Sequence, residues 1–446
     1  MTIRPTHSQL LRATTALLGF ALLAGCALPE ADGLEAQIDA TVAGMPDLGP
    51  GKGRDVASVA RNGLLLDPEV RSAASEIKAS ADEVRVQRAA LFPSLGLTVG
   101  GGVGSIDDDD DGAILLTGEQ LLLDFGKTRR AVTIADLDMQ INYIAFQQGV
   151  DDALVDVLTA YDTVRMYVLL LDVRQKQLAA MRDLEVVVND RINAGATTTS
   201  DSLEIRKRIL ASEFLVHDTE FALAEARDRL SRLSGQPRGG RLPSLRSSCT
   251  SPSESDDVRI ARLKLARSNL MLEAAEKARV PRVVLSPVAK QEVGHSTDFG
   301  LNVSLNSDLL EGGALSARVN AARNARDAAI ADEAATRRDA ALDDRALLRE
   351  ISSAEQKVKM LDRQIALLAE TRKLYRSQYV DLGTRQVTDL LDNEEEYYNR
   401  QAEKIEVRSS LSVHHVECAT RDRSLRKALG LNGSNLYGYP LTPDAI

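Results

Sequence analysis

The sequence predicts an α+β membrane protein, internally duplicated, with four transmembrane strands and long helices in each chain. Three observations lead there: landmarks that recur at one offset, short stretches of alternating polarity, and helical stretches of nearly 70 residues ending at glycines. The composition agrees with this. The chain is 44% hydrophobic but only 4% aromatic, lacks Trp, and is 27% charged, which favours long packed helices over a thick mixed core.

The duplication shows in three pairs of landmarks in the same order. Pro93 in ALFPSLGL matches Pro281 in ARVPRVVL, at an offset of 188. Asp124 and Gly126 in DFGKTRRAVTIA match Glu311 and Gly313 in EGGALSARVNAA, at 187. Gly195 and Asp201 in NAGATTTSDSL match Gly383 and Asp389 in DLGTRQVTDLL, at 188. The first repeat therefore occupies residues 55–234 and the second 256–430, with a Pro/Ser/Gly-rich linker at 235–255 and a C-terminal tail at 431–446.

Each repeat reads as helix, two strands, then two long helices. The first helix spans Asp55–Leu91, its counterpart Asp256–Val280, and Pro93 and Pro281 stop them. Leu95, Leu97 and Val99 alternate with Gly96, Thr98 and Gly100, and Phe299, Leu301, Val303 and Leu305 alternate with Gly300, Asn302, Ser304 and Asn306. Such alternation gives each strand one apolar and one polar face. With the less regular Ala113–Leu123 and Val283–Val293, these runs are about 9–11 residues long and suit tilted membrane strands. Four strands cannot close a barrel, and open edges are not tolerated in lipid. Two or three chains would supply eight or twelve. The five acids Asp107–Asp111 between the first two strands belong in water.

From Gly126 to Gly195 and from Gly313 to Gly383 the sequence reads as helices reaching about 100 Å at ~1.5 Å per residue. Leu154, Leu158, Tyr161, Val164, Val168 and Leu171 keep the spacing of a packed stripe. Gly195 and Gly383 make the turns at the hairpin tips. The returning helices cover about Ser200–Leu233 and Thr388–Leu429.

The N-terminus is a leader. Arg4 and Arg12 precede the apolar run Ala13–Ala24, which is too short to span a bilayer and fits a signal peptide at 1–25. It ends Leu23-Ala24-Gly25-Cys26, which resembles the lipobox of bacterial lipoproteins. The thiol of Cys26 is then the lipidation site, and 26–54 the lipidated N-terminal segment. Ala27 leaves out the aspartate that retains such proteins at the inner membrane, so the expected location is the outer membrane of a Gram-negative cell. Residues 1–25 carry two arginines and no acid, so their removal takes the formal charge from −10 to −12. A chain this acidic does not seek nucleic acid. Cys249 and Cys418 then remain in an oxidising compartment, where a disulfide and two free thiols both stay open.

Asp389 and Asp392 lie three residues apart on one helix face, where like charges cost ~0.2–0.5 kcal/mol. Either water solvates them or the cost serves a purpose. Elsewhere no chemistry converges. Gly100–Gly104 leads into acids rather than a helix, GPGKGR at Gly49 lacks the Walker spacing, and the adjacent His414 and His415 point different ways. No nucleophile and base stand together, so an enzyme is not expected, nor a cofactor or a metal site.

Lipobox, duplicated order, the strand ends LLLDFG and LLEGG, and the tip GTRQVTDLLD together resemble the TolC outer-membrane channel family over roughly residues 55–430. The resemblance implies a homotrimer with a twelve-strand barrel and a helical tunnel. It also implies a periplasmic adaptor and an inner-membrane ABC or proton-driven transporter as partners. Asp389 and Asp392 match acids lining the family's periplasmic entrance, where six carboxylates would favour or bind cations. Arg385 matches a residue that holds the tip closed against the first hairpin, with Ser200 and Asp201 at the partner positions. Val380 stands where the family can carry a tyrosine latch. The implied function is a passive export duct, for type I protein secretion or for small-molecule efflux. A non-pore structural lipoprotein is the reading from another class, and the alternating strands speak against it.

Overall fold

The computed structural model describes residues 33–53, 55–100, 113–243, 245, 249, 254–292, 297–307 and 312–442. Cys26 and its leader, the acids Asp107–Asp111, and Glu311 lie outside the described residues.

A short helix α1 (Leu34–Val42) precedes α2 (Val56–Leu66) and α3 (Pro68–Ala89). The sequence reads 55–91 as one helix, and the structure breaks it at Asp67. Asp67 ends α2 in an extended conformation, and its carboxylate accepts from the amides of Glu69 and Val70 to cap α3, with Pro68 in the first turn. Aspartate at the cap and proline just inside the helix form a start signal. Where α2 crosses the next long helix, a side chain at Gly63 would meet Val157 at 2.4 Å, so only glycine allows this approach.

Strands β1 (Ser94–Gly100), β2 (Ala113–Leu123), β3 (Arg282–Glu292) and β4 (Asp298–Asn306) form one antiparallel sheet in sequence order. Its two halves come from the two repeats, joined by the β2–β3 pairing. The register sets Leu97 opposite Leu116, Leu116 opposite Ala289, and Ala289 opposite Phe299. Strand alternation therefore gathers Leu95, Leu97, Val99, Ile114, Leu285, Pro287, Leu301, Val303 and Leu305 on the same face. Thr98, Thr117, Ser286, Lys290, Asn302 and Ser304 lie on the other. The apolar face is bare within one chain: Phe299 is 83% and Leu301 72% exposed. No helix among the described residues is long and apolar enough to cross a membrane.

Two helical hairpins grow from this sheet. The first is α4 (Lys127–Asn193) and α5 (Thr199–Ser234); the second is α7 (Ala314–Val380) and α8 (Val387–Arg421). Helix α6 (Asp256–Glu276) precedes β3, capped by the Ser255 hydroxyl. The long helices α4 and α7 have 67 residues each. Both leave the sheet through left-handed glycines, Gly126 (φ 82°) and Gly313 (φ 88°), and both hairpins turn at left-handed glycines, Gly195 (φ 70°) and Gly383 (φ 64°). The expected stripe on α4 is buried from Leu154 to Val164, but Val168 is 45% exposed. A straight helix drifts away from any single neighbour over such a length.

The last helix is shorter than the sequence suggests. α8 stops at Arg421, Arg423 is left-handed (φ 58°), and a four-residue helix α9 (Leu425–Ala428) follows. The chain then forms a small hairpin, β5 (Asn435–Leu436) with β6 (Tyr439–Pro440). This hairpin docks on the N-terminal segment: Asn435 N–H donates to Pro46 O at 3.0 Å, and Leu48 N–H donates to Asn435 O at 2.7 Å. Leu34, Ile38, Val59, Phe146, Leu154, Leu158, Leu425 and Leu436 share one apolar core around the middle of α4. Beside it, Cys249 of the linker and Cys418 of α8 are joined in a disulfide with Cα atoms 4.6 Å apart, within the usual span of about 4.4–6.8 Å.

Candidate functional site

The tip, where Gly195 and Gly383 turn the two hairpins, concentrates the residues the sequence singles out. Each turn closes by backbone hydrogen bonds: Ala196 N–H donates to Arg191 O at 2.8 Å, and Thr384 N–H donates to Gln378 O at 3.0 Å. Between the hairpins lies an apolar cluster of Met181, Leu184 and Val188 from α4, Ile205 and Ile209 from α5, Tyr379 from α7, and Val387, Leu390 and Leu391 from α8. The tip of a single chain is thus a packed four-helix unit.

Asp389 and Asp392 sit in the first turns of α8, the first half-buried and the second exposed, and each has an arginine. Arg385 Nη1 donates to Asp389 at 3.2 Å, and Arg208 Nη2 of α5 donates to Asp392 at 2.8 Å. Arg208 also pairs with Glu395 and, at 3.1 Å, with Glu204. Burial works against the Arg208 charge, but these carboxylates outweigh it and hold its pKa above the usual value. The repulsion between the two aspartates is therefore met by two cations, Arg385 and Arg208. The Arg385–Asp389 contact is an i,i+4 pair that the sequence spacing displays. The Arg208 contact is not displayed, because it joins different repeats.

The expected link from Arg385 to Ser200 and Asp201 is not what joins the hairpins within one chain. Arg385 folds back on its own hairpin, donating from Nε to Gln378 at 3.0 Å and stacking 4.1 Å from the Tyr375 ring centroid. Asp201 accepts from the Thr197 hydroxyl, and Ser200 is exposed. Besides Arg208, Arg191 crosses between the hairpins: its Nη1 donates to Tyr379 O at 2.6 Å and Val380 O at 3.3 Å. Tyr379, beside Val380, is the buried tyrosine of this turn. Farther up, Glu394 is buried and pairs with Arg372, whose guanidinium lies 5.1 Å and 5.5 Å from the ring centroids of Tyr397 and Tyr398. Arg191 and the Arg372–Glu394 pair carry no motif. Their only sequence signal is a charge set into an apolar helical stripe.

A duplicated chain with a half-sheet in each repeat and two hairpins meeting at acidic tips corresponds to one known family. The outer membrane efflux protein profile matches residues 60–236 and again 252–430. The chain belongs to the outer membrane efflux protein family. Among its relatives, nodulation protein T of Rhizobium leguminosarum bv. trifolii is 22% identical over 367 residues, covering 76% of this chain and 78% of that protein. The fold is also that of solved outer membrane proteins. The Vibrio cholerae outer membrane protein VceC superposes with a TM-score of 0.72 at 16% identity, covering 84% of this chain and 96% of that one. The Campylobacter jejuni CmeC outer membrane channel gives 0.71 at 12% identity, covering 88% of each chain. The two profile matches fall on the two repeats, so each repeat carries the family's pattern.

Proposed function

We propose that this outer membrane efflux protein is the passive outer-membrane duct of a tripartite export system. It acts as a homotrimer fed by a periplasmic adaptor and an inner-membrane transporter, and it is anchored by lipid on Cys26 in a Gram-negative outer membrane. The observation that carries this reading is the four-stranded sheet. Its apolar face is bare, and among the described residues its strand order leaves β1 and β4 as free edges within one chain. Lipid covers such a face, and only pairing with further copies removes the edges. Three copies give twelve strands, an even number in the range of known membrane barrels.

The helices support the same assembly. α5 exposes Leu203, Leu210, Phe214 and Phe221, and α7 exposes Met360, Leu367 and Leu374, at the spacing of seven and four that a neighbouring helix covers. The tips then meet at the far end of an approximately 100 Å helical tunnel, where Asp389 and Asp392 of each copy face a common entrance and bind cations. For cargo, the DLLDNEEEYY segment resembles secretion-linked members, so we assign polypeptides delivered by an ABC transporter. The family's efflux description favours a second cargo class, small molecules moved by a proton-driven pump. A deletion strain separates these, losing a secreted polypeptide in the first case and gaining sensitivity to toxic small molecules in the second.

The test of the duct is single-channel current of the purified protein in a planar bilayer, with di- or trivalent cations added on the tip side. The expected result is a cation-selective pore blocked by those cations, with the block lost in Asp389→Ala/Asp392→Ala. Equal block in both proteins keeps the duct and removes the acids from the gate. Absence of pores from a folded oligomer overturns the duct in favour of a structural lipoprotein.

A further inference from the structure

The Cys249–Cys418 bond closes almost the whole of the second repeat into one loop. Cys249 lies in the linker before α6 and Cys418 in the last turn of α8, so α6, β3, β4 and α7 all fall within the 169 residues that separate them. Both ends are covered. Cys249 is 5% and Cys418 0% exposed, with Leu347 and Ile351 of α7 and Leu411 of α8 packed against them. A few residues on, Glu254 pairs with Arg262 of α6 and, at 3.4 Å, with Arg337 of α7. The linker is thus strapped across the second hairpin with its cystine underneath.

Burial decides when this bond can form. Thiol–disulfide exchange needs a thiolate to reach a sulfur, so its rate follows access. In the folded chain neither sulfur offers that access. In a fully unfolded chain the two thiols meet rarely, because closing so long a loop costs entropy. The bond therefore forms in between, when α6, α7 and α8 have begun to gather but α7 has not yet closed over the cysteines. We infer that the chain is a substrate of a periplasmic dithiol oxidase, a disulfide-bearing protein that joins Cys249 to Cys418 before the second hairpin packs and hence before copies assemble. The inference uses the oxidising envelope location and the lipid on Cys26 proposed above, which leave Cys249 and Cys418 as the two thiols of a three-cysteine chain. It is independent of whether the assembled protein conducts.

The exchange balances. Cys249 emerges first during export, and its thiolate attacks the oxidase disulfide to give a mixed disulfide and one oxidase thiol. The Cys418 thiolate then attacks the Cys249 sulfur of that mixed bond, forming the cystine and releasing the second oxidase thiol. Two electrons pass to the oxidase, and the two protons lost by the chain end on its two thiols.

The experiment is pulse–chase of the full-length protein in cells with and without the periplasmic oxidase, trapping free thiols with a mass-adding maleimide and scoring oligomer in the outer-membrane fraction. In cells with the oxidase, the thiols are expected to disappear before oligomer appears. Without it, oligomer is expected to fall several-fold and to return when cystine is added to the medium. Cys249→Ser/Cys418→Ser is expected to assemble to the same extent in both strains. Cys418→Ser alone is expected to hold the oxidase in a mixed disulfide at Cys249, and Cys249→Ser alone to hold less of it. Oligomer at full yield with free thiols overturns the ordering. A double variant that is lost along with the oxidase makes the effect indirect and overturns the substrate assignment. If the double variant assembles in neither strain, the cystine rescue and the trapped mixed disulfide decide, and absence of both overturns the inference.

Discussion

Arg426 and Asp151 stand 275 residues apart in the chain and 2.7 Å apart in the fold. Arg426 is buried on α9, where it also donates to Gln147 O at 2.6 Å and Leu441 O at 3.4 Å. One side chain thus fastens the C-terminal segment to the middle of α4. Burial pushes the Asp151 carboxyl above the usual range, against the pull of the arginine, so the aspartate depends on this partner for its charge. Arg426→Met takes from a buried acid its hydrogen bond and the larger of the two arginine charges that act on it, and such losses cost about 3–5 kcal/mol. Thermal unfolding of the single variant is expected to show that loss, and Arg426→Met/Asp151→Leu to recover most of it. Equal losses in the two would show that the hydrogen bonds to Gln147 and Leu441 matter more than the ion pair.

The Cys249–Cys418 bond pins the inter-repeat linker to α8 among Leu347, Ile351 and Leu411. The two cysteines are 169 residues apart in sequence. Closing a long loop in the unfolded chain stabilises the folded one, typically by about 2–4 kcal/mol. Peptide mapping of the unreduced protein is expected to find a cystine peptide joining 249 to 418. Cys249→Ser/Cys418→Ser is expected to lower the unfolding midpoint, and reductant to lower that of wild type alone. A midpoint indifferent to reductant would mean that apolar packing around the linker holds it unaided.

Glu394 gives a pH dependence with a definite sign. The residue is 3% exposed, and burial raises its carboxyl pKa above 4.5 despite the hydrogen bond and charge of Arg372 and the charge of Arg376 on α7, while Asp183 on α4 adds to the rise. A folded-state value above the unfolded one means that the folded chain binds the proton more tightly. The stabilisation from that proton is complete below about 4.5 and is lost as pH rises through the folded value. Relative to Glu394→Gln, which does not titrate, wild type is expected to gain stability as pH falls from 7 toward 4. Unfolding midpoints across that range measure the gap. A gap independent of pH would place the titration elsewhere.

Legibility varied from element to element. β4 spans the alternating run Phe299–Leu305, and the left-handed turns fall at Gly195 and Gly383. Alternation and glycine act over a few residues, so the chain displays them directly. The break at Asp67-Pro68 was legible too, as a cap followed by proline, yet helical composition on both sides masks it. Even at the tip, Arg385 and Asp389 stand one helical turn apart in plain view. Arg191 and Arg208 do not, since their partners lie in the other repeat.

The duplication, the strand–hairpin order, the amphipathic faces and the turns can be read from the order of residues alone, because each rests on local periodicity or on one residue's backbone freedom. That Arg208 holds Asp392, that Arg191 bonds the end of α7, that Cys249 meets Cys418 and that Arg426 anchors the C-terminal segment follows from the folded arrangement alone. Those contacts depend on how helices almost 70 residues long lie beside one another. A small change in packing angle moves a distant side chain by more than the reach of a hydrogen bond, and no short stretch of sequence records that angle.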